Sequence, residues 1–157
     1  MRKRIITHMQ KEAASSDPNW LNMEGLAEVE ITSEDAAHPI ESALLLGGSS
    51  GWQAAEAGAQ TIRLLFNHPQ RLQRIWMHFV EPQTERTQEY VLRWSPDNGQ
   101  SFREIVRQQW NFSPPSTMDE TEDHHVELPA VTMLELSIIP DISGGNACAS
   151  LAQLRLA

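Results

Sequence analysis

The sequence predicts an all-β protein, an eight-stranded antiparallel β-sandwich of jelly-roll type, and three observations carry that prediction. From residue 28 onward apolar residues recur at every second position, which marks strands with one dry face. Helix signals are scarce, while Pro and Gly punctuate the connections. The chain has 157 residues, 40% of them hydrophobic and 21% charged. That is enough for one core, yet no apolar run approaches the roughly 20 residues of a membrane-spanning helix.

The first strand is read from Val29 and Ile31 alternating with Glu28, Glu30 and Thr32. Ile62, Leu64 and Phe66 make the second, and Ile75, Met77 and Phe79 the third, with a turn expected over Asn67 to Gln70. Tyr90, Leu92 and Trp94 form a fourth, joined to a fifth over Phe102–Trp110 by a turn in which Asn98-Gly99 supplies the positive φ angles of a tight reversal. Val126 and Leu128, then Leu134, Leu136 and Ile138, and finally Ala152, Leu154 and Leu156 complete the set, with a turn expected at Pro129-Ala130. The one helical signal is Pro39 at a first helical position, followed by Glu41, Ala43 and Leu44, about two turns inside a long connection. Short strands with almost no helix favour two packed sheets over a barrel.

The formal net charge of -9 opposes contact with a nucleic-acid backbone, so no nucleic-acid partner is expected; nor is a membrane. Residues 1 to 16 carry Arg2, Lys3, Arg4 and Lys11 against Glu12. Residues 1–19 therefore read as a basic, flexible arm or a self-contact with the acidic body, and 20–157 as the folded domain. A single cysteine, Cys148, excludes an internal disulfide, and Ile5-Ile6 is too short for a secretory core. The expected compartment is the cytoplasm.

Over roughly residues 26 to 157 the order of features resembles the discoidin, or coagulation factor 5/8 C-terminal type, domain of the galactose-binding-like superfamily. The carrying residues are Val29-Glu-Ile-Thr-Ser-Glu, Gly51-Trp52, Gln60-Thr-Ile-Arg-Leu-Leu-Phe and Arg74-Ile-Trp-Met-His-Phe, then Tyr90-Val-Leu-Arg-Trp-Ser-Pro-Asp-Asn-Gly-Gln-Ser-Phe and the closing Ala149-Ser-Leu-Ala-Gln-Leu-Arg-Leu. The resemblance implies an eight-stranded jelly roll that binds sugars, phospholipids or proteins through loops at one end, a binding module before an enzyme. Two features depart from the family. The terminal cysteine pair is missing, and Leu46-Gly-Gly-Ser-Ser-Gly-Trp52 replaces the Asp-Gly that often helps hold calcium.

If successive strands run antiparallel, their connections alternate between the two ends of the sandwich. Residues 34 to 59, 81 to 88, 111 to 124 and 140 to 148 then share one end, and the short turns share the other. Long loops gathered at one end are the natural place for recognition. That end holds Trp52, Glu81, Glu85, Arg86, Trp110, Asn111, Phe112, Asp141 and Asn146. Aromatic faces with carboxylate, amide and guanidinium groups suit a sugar ring and its hydroxyls. The bland alternative is that the tryptophans cap the core, Arg86 pairs with a neighbouring glutamate and the asparagines stabilise turns.

Asp119-Glu-Thr-Glu-Asp-His-His125 reads as a solvated acidic loop leading into a strand, and no metal or cofactor is expected. Beyond residue 20 every basic residue is Arg. Arg74, Trp76, His78 and Arg93 suggest a lattice on one outer face, either cross-paired or an oligomer contact. No nucleophile elbow or phosphate loop occurs, so no enzyme is expected. The functional expectation is a carbohydrate or glycosylated ligand held by Trp52, Arg86, Trp110 and Asn111. The alternative is a protein-interaction or oligomerisation scaffold, a homo-oligomer included, that has no sugar site.

Overall fold

The structure, a computed structural model, describes residues 19–48 and 50–157. Its elements in chain order are β1 (Ala27–Ile31), α1 (Glu41–Leu44), β2 (Trp52–Ala57), β3 (Gln60–Val80), β4 (Arg86–Ser95), β5 (Arg103–Phe112), β6 (Asp119–Ile139), β7 (Cys148–Leu151) and β8 (Gln153–Leu156). All strand pairings are antiparallel. The basic segment at the start of the sequence lies outside the described residues.

Two long strands join the layers. The first half of β3 lies between β1 and the second half of β6, in the register Ile31↔Ile62↔Leu136. Its second half lies between the first half of β6 and β8, in the register His124↔Ile75↔Leu156. β4 pairs with the second half of β6 and with β5. One layer therefore runs β1-β3-β6-β4-β5, and the other consists of the opposite halves of β6 and β3 with β8, while β2 and β7 form a separate pair.

The expected turns at Asn67–Gln70 and Pro129-Ala130 are bends within these strands. Register shifts fall between Leu65 and Arg74, and Gln70 still partners Val131. Pro cannot donate to a ladder, so Pro69 and Pro129 sit where the pairing is already irregular. β2 and β7 are strands that the alternation did not predict. α1 is a single turn of four residues, and Arg155, buried on β8, donates to the carbonyls of Ala43 (2.9 Å) and Leu45 (3.3 Å).

Alternation places Ile62 and Leu64 opposite Ile75 and Met77 in a shared core. Phe79 and Tyr90 stack at 5.6 Å between centroids. The predicted reversal is present, with Asn98 at φ 59 and Gly99 at φ 89. Asp97 accepts from the Ser101 hydroxyl (2.6 Å), the Ser95 hydroxyl (2.7 Å) and the Ser101 amide (2.9 Å). Those bonds, the Ser101 hydroxyl foremost, hold its carboxyl down to about 2.

The expected acidic loop at Asp119–His125 is instead the first half of β6. Glu120, Glu122 and His124 form its inner row, while outward Asp123 meets Arg74 (2.9 Å) and Asp119 meets His78 (2.9 Å). Both rows are polar, so no hydrophobic alternation announces the strand. The single Arg and Trp lattice divides between the two layers. Arg74 lies over Trp20, which packs against Trp76, whereas Arg93 and Arg63 share buried Glu135 on the other layer.

Gly51 has φ +74, and a Cβ there would lie 2.9 Å from the Leu151 carbonyl oxygen. Gly51→Ala is expected to cost about 2 kcal/mol in urea unfolding through strain and that clash. A loss below a few tenths would remove β2–β7 packing as the reason for a glycine here. Among the described residues no helix is long and apolar enough to cross a membrane.

Candidate functional site

The connections that follow β3, β5 and β6 lie side by side at one end of the sandwich. The Glu81 amide donates to the Met118 carbonyl (2.7 Å), the Ile142 amide to that of Thr87 (2.9 Å) and the Gly58 amide to that of Ala147 (3.2 Å). The geometry thus gathers the segments 81–85, 113–118 and 140–147. The turn at 97–100 and the bends near Gln70 and Pro129 lie at the opposite end, as the alternation of connections requires.

Arg86 fastens this end together. Its Nε donates to Glu81 (2.7 Å), and its Nη1 donates to the Pro140 carbonyl (2.7 Å) and to Gln88 (3.3 Å). Its guanidinium rests 4.8 Å from the centre of the Phe112 ring. Both residues are buried, so they support the surface from beneath. Burial alone would raise the Glu81 carboxyl; the bond from Arg86 and the amides of Gln83 and Thr84 outweigh it, leaving the group below its ordinary value. Asp141 accepts from the Ser143 hydroxyl (2.7 Å) and amide (3.0 Å), bonds that hold its carboxyl low and shape the following turn.

The aromatic candidates lie deeper than a sugar platform requires. Trp52 is 1% exposed, and its indole donates to the Ser33 carbonyl (3.1 Å). This burial follows from β2, whose alternation turns Trp52 inward against the core while Gln53 faces out. Trp110 is half-buried on β5 beside Gln88. Its neighbour Asn111 belongs to the opposite face, so the two do not meet one ligand on one face.

Asn111 and Asn146 are exposed, as is Glu85. The structure adds residues that sequence reasoning missed. Thr87 donates to Asn111 Oδ1 (3.0 Å), Asn111 Nδ2 donates to Ser113 (3.2 Å) and Ser113 donates to Glu85 (3.4 Å). This row of hydroxyl, amide and carboxylate groups crosses from β4 to β5. Beside it Ile142, tied to Thr87 through its amide, is 48% exposed. Ile142, between Asp141 and Ser143-Gly-Gly, carries no signal in the sequence, because single exposed aliphatic residues are ordinary on protein surfaces.

Beneath the row lies an inward polar layer. Gln88 donates to Glu120 (3.2 Å), and the Tyr90 hydroxyl pairs with His124 (2.7 Å). Burial, followed by the neighbouring Glu122, pushes the Glu120 carboxyl up to about 8. Burial and Glu122 also raise the Tyr90 phenol. Among the described residues no group of three or more His, Cys, Asp or Glu side chains is arranged to hold a metal ion.

No family model matches the sequence, and no curated protein matches it. Solved structures do resemble the fold. The family 32 carbohydrate-binding module of Clostridium perfringens NanJ in complex with galactose has a TM-score of 0.65 at 14% identity, covering 87% of this chain and 96% of that one. The module CpGH89CBM32-5 from Clostridium perfringens, in complex with GalNAc-β-1,3-galactose, has a TM-score of 0.61 at 20% identity, covering 88% and 99%. Reduced XRCC1 bound to the DNA polymerase β catalytic domain has a TM-score of 0.61 at 12% identity, covering 88% and 98%. The chain therefore has the galactose-binding-like, discoidin-type fold, a jelly-roll sandwich.

Proposed function

We propose that this chain is a non-catalytic carbohydrate-binding module whose contact surface is the exposed rim of the loop end, built from Glu85, Thr87, Asn111, Ser113, Ile142 and Asn146. The observation that carries the reading is the row from Thr87 to Glu85 beside exposed Ile142, in a fold whose similar structures include galactose complexes. Vicinal sugar hydroxyls act as donors and acceptors together, and amides paired with carboxylates answer both. An aliphatic side chain gives the apolar face of the ring a dry contact in place of an aromatic platform. Arg86, Glu81 and Asp141 hold the loops that present these groups.

Isotope-labelled protein titrated with galactose, N-acetylgalactosamine and uronic acids is expected to show amide shifts at Thr87, Asn111 and Ile142. Asn111→Ala should weaken that binding at least tenfold, because a hydroxyl then loses both an amide donor and acceptor. Shifts in none of the sugars would remove this reading. A protein-interaction role has its own support in a different face of the molecule.

A further inference from the structure

The free edge of a sheet offers an unpaired row of backbone donors and acceptors to any chain that reaches it. Among the described residues β1 pairs with β3 alone, at the end of its layer. Beside it runs a groove of about 510 Å³ between the strand and α1, floored by Met23, Val29, Ile31, Ile40 and Leu44. Val29 remains 36% exposed on the row that faces this groove. The rim is acidic: among the described residues Glu24, Glu34 and Glu41 line it, and no Lys or Arg does.

The same charges argue against the simplest occupant. A second copy pairing β1 with β1 would bring Glu28 and Glu30 of the two chains together, and like charges facing across strands are destabilising. Arg63 lies 3.7 Å from Glu30 and answers only one of these carboxylates. The groove calls for a chain with opposite charge and spaced aliphatic residues.

We propose that β1 and its groove receive an extended, basic peptide segment of another protein. The segment adds as a strand to the free edge. Alternate aliphatic side chains enter the groove over Val29 and Ile40, while flanking Lys or Arg residues face Glu24, Glu34 and Glu41. Backbone pairing supplies affinity without regard to sequence; the acidic rim and apolar floor select the composition. This face is separate from the sugar-binding rim, so either reading stands without the other.

The test uses the full chain and a labelled synthetic peptide, Lys-Arg-Ile-Thr-Ile-Arg-Lys, followed by fluorescence anisotropy. Saturable binding is expected, weakening at least tenfold in the Glu24→Lys/Glu41→Lys variant. Both glutamates are exposed, so charge reversal leaves the core intact. Val29→Lys, a change in the groove itself, should abolish binding, and circular dichroism checks that each variant is folded. Equal binding to the charge-reversed protein, or no binding at all, would overturn the proposal. Binding that appears only after residues 1–18 are removed would also overturn it, by assigning the groove to this chain's own Arg2-Lys3-Arg4-Ile5-Ile6.

Discussion

Arg86→Met is expected to lower the unfolding free energy by about 3 kcal/mol, because it breaks a buried ion pair and leaves one partner behind. Glu81 loses its 2.7 Å guanidinium contact, and the Pro140 carbonyl loses its donor. Those bonds fasten the segments 81–85 and 140–147, so the variant should also lose any sugar binding at the rim. The double variant Arg86→Met/Glu81→Leu should recover part of the stability, since removing both partners leaves no orphaned charge. Urea unfolding of the three proteins decides the matter. A single-variant loss below about 1 kcal/mol would show that the loops are registered by their backbone bonds alone.

The second large effect concerns pH. Glu120 is 1% exposed; Gln88 bonds to it, and the charges of Glu122 and Arg86 act on it from neighbouring positions. Its carboxyl titrates at about 8 in the folded protein against an ordinary 4.5. The folded state therefore holds this proton more tightly than the unfolded one. Its contribution is complete below about pH 4.5, declines as pH rises and is exhausted above about pH 8, with a slope of at most about 1.4 kcal/mol per pH unit for one proton. The low-titrating carboxylates Glu81, Asp97, Asp123, Glu127 and Asp141 act in the opposite sense, strengthening the fold as acid is removed up to about pH 5. Between pH 5 and 8 Glu120 should dominate, and urea midpoints should fall. Glu120→Gln keeps an acceptor for Gln88 without the titration, so its midpoint should remain nearly level across the window. Parallel curves for the two proteins would refute the assignment.

Much of the sandwich was legible because burial on one face leaves a period of two in the residues. Ile62-Arg63-Leu64, Tyr90 to Trp94 and Leu134 to Ile138 each record a dry face, and Asn98-Gly99 records a reversal. Other strands leave no such trace. Half of β2, Trp52-Gln-Ala-Ala-Glu-Ala57, is alanine, and the opening stretch of β6, Asp119 to His125, is polar on both rows. Bends in β3 and β6 resemble turns because Pro and Asn mark both, and only the partner strand distinguishes them. At the site the chemical types were readable while their depth was not. Arg86 and Asn111 look equally available in the sequence, yet one is buried beneath the loops and the other lies on the rim. The residue beside Arg86, Thr87, faces the rim because a strand reverses its side chain at each step.

The continuity of β3 and β6 through both layers also sets the stiffness of the molecule. A sandwich made from separate hairpins yields when one sheet slides over the other. Here the two long strands act as crossbeams, paired over Gln60–Leu65 in one layer and Arg74–Val80 in the other with a bend between, so the same two chains tie the layers together. On the proposed function, ligand contact would fall on the loops and not on this frame, and affinity would follow how firmly Arg86 and Asp141 prepare those loops in advance.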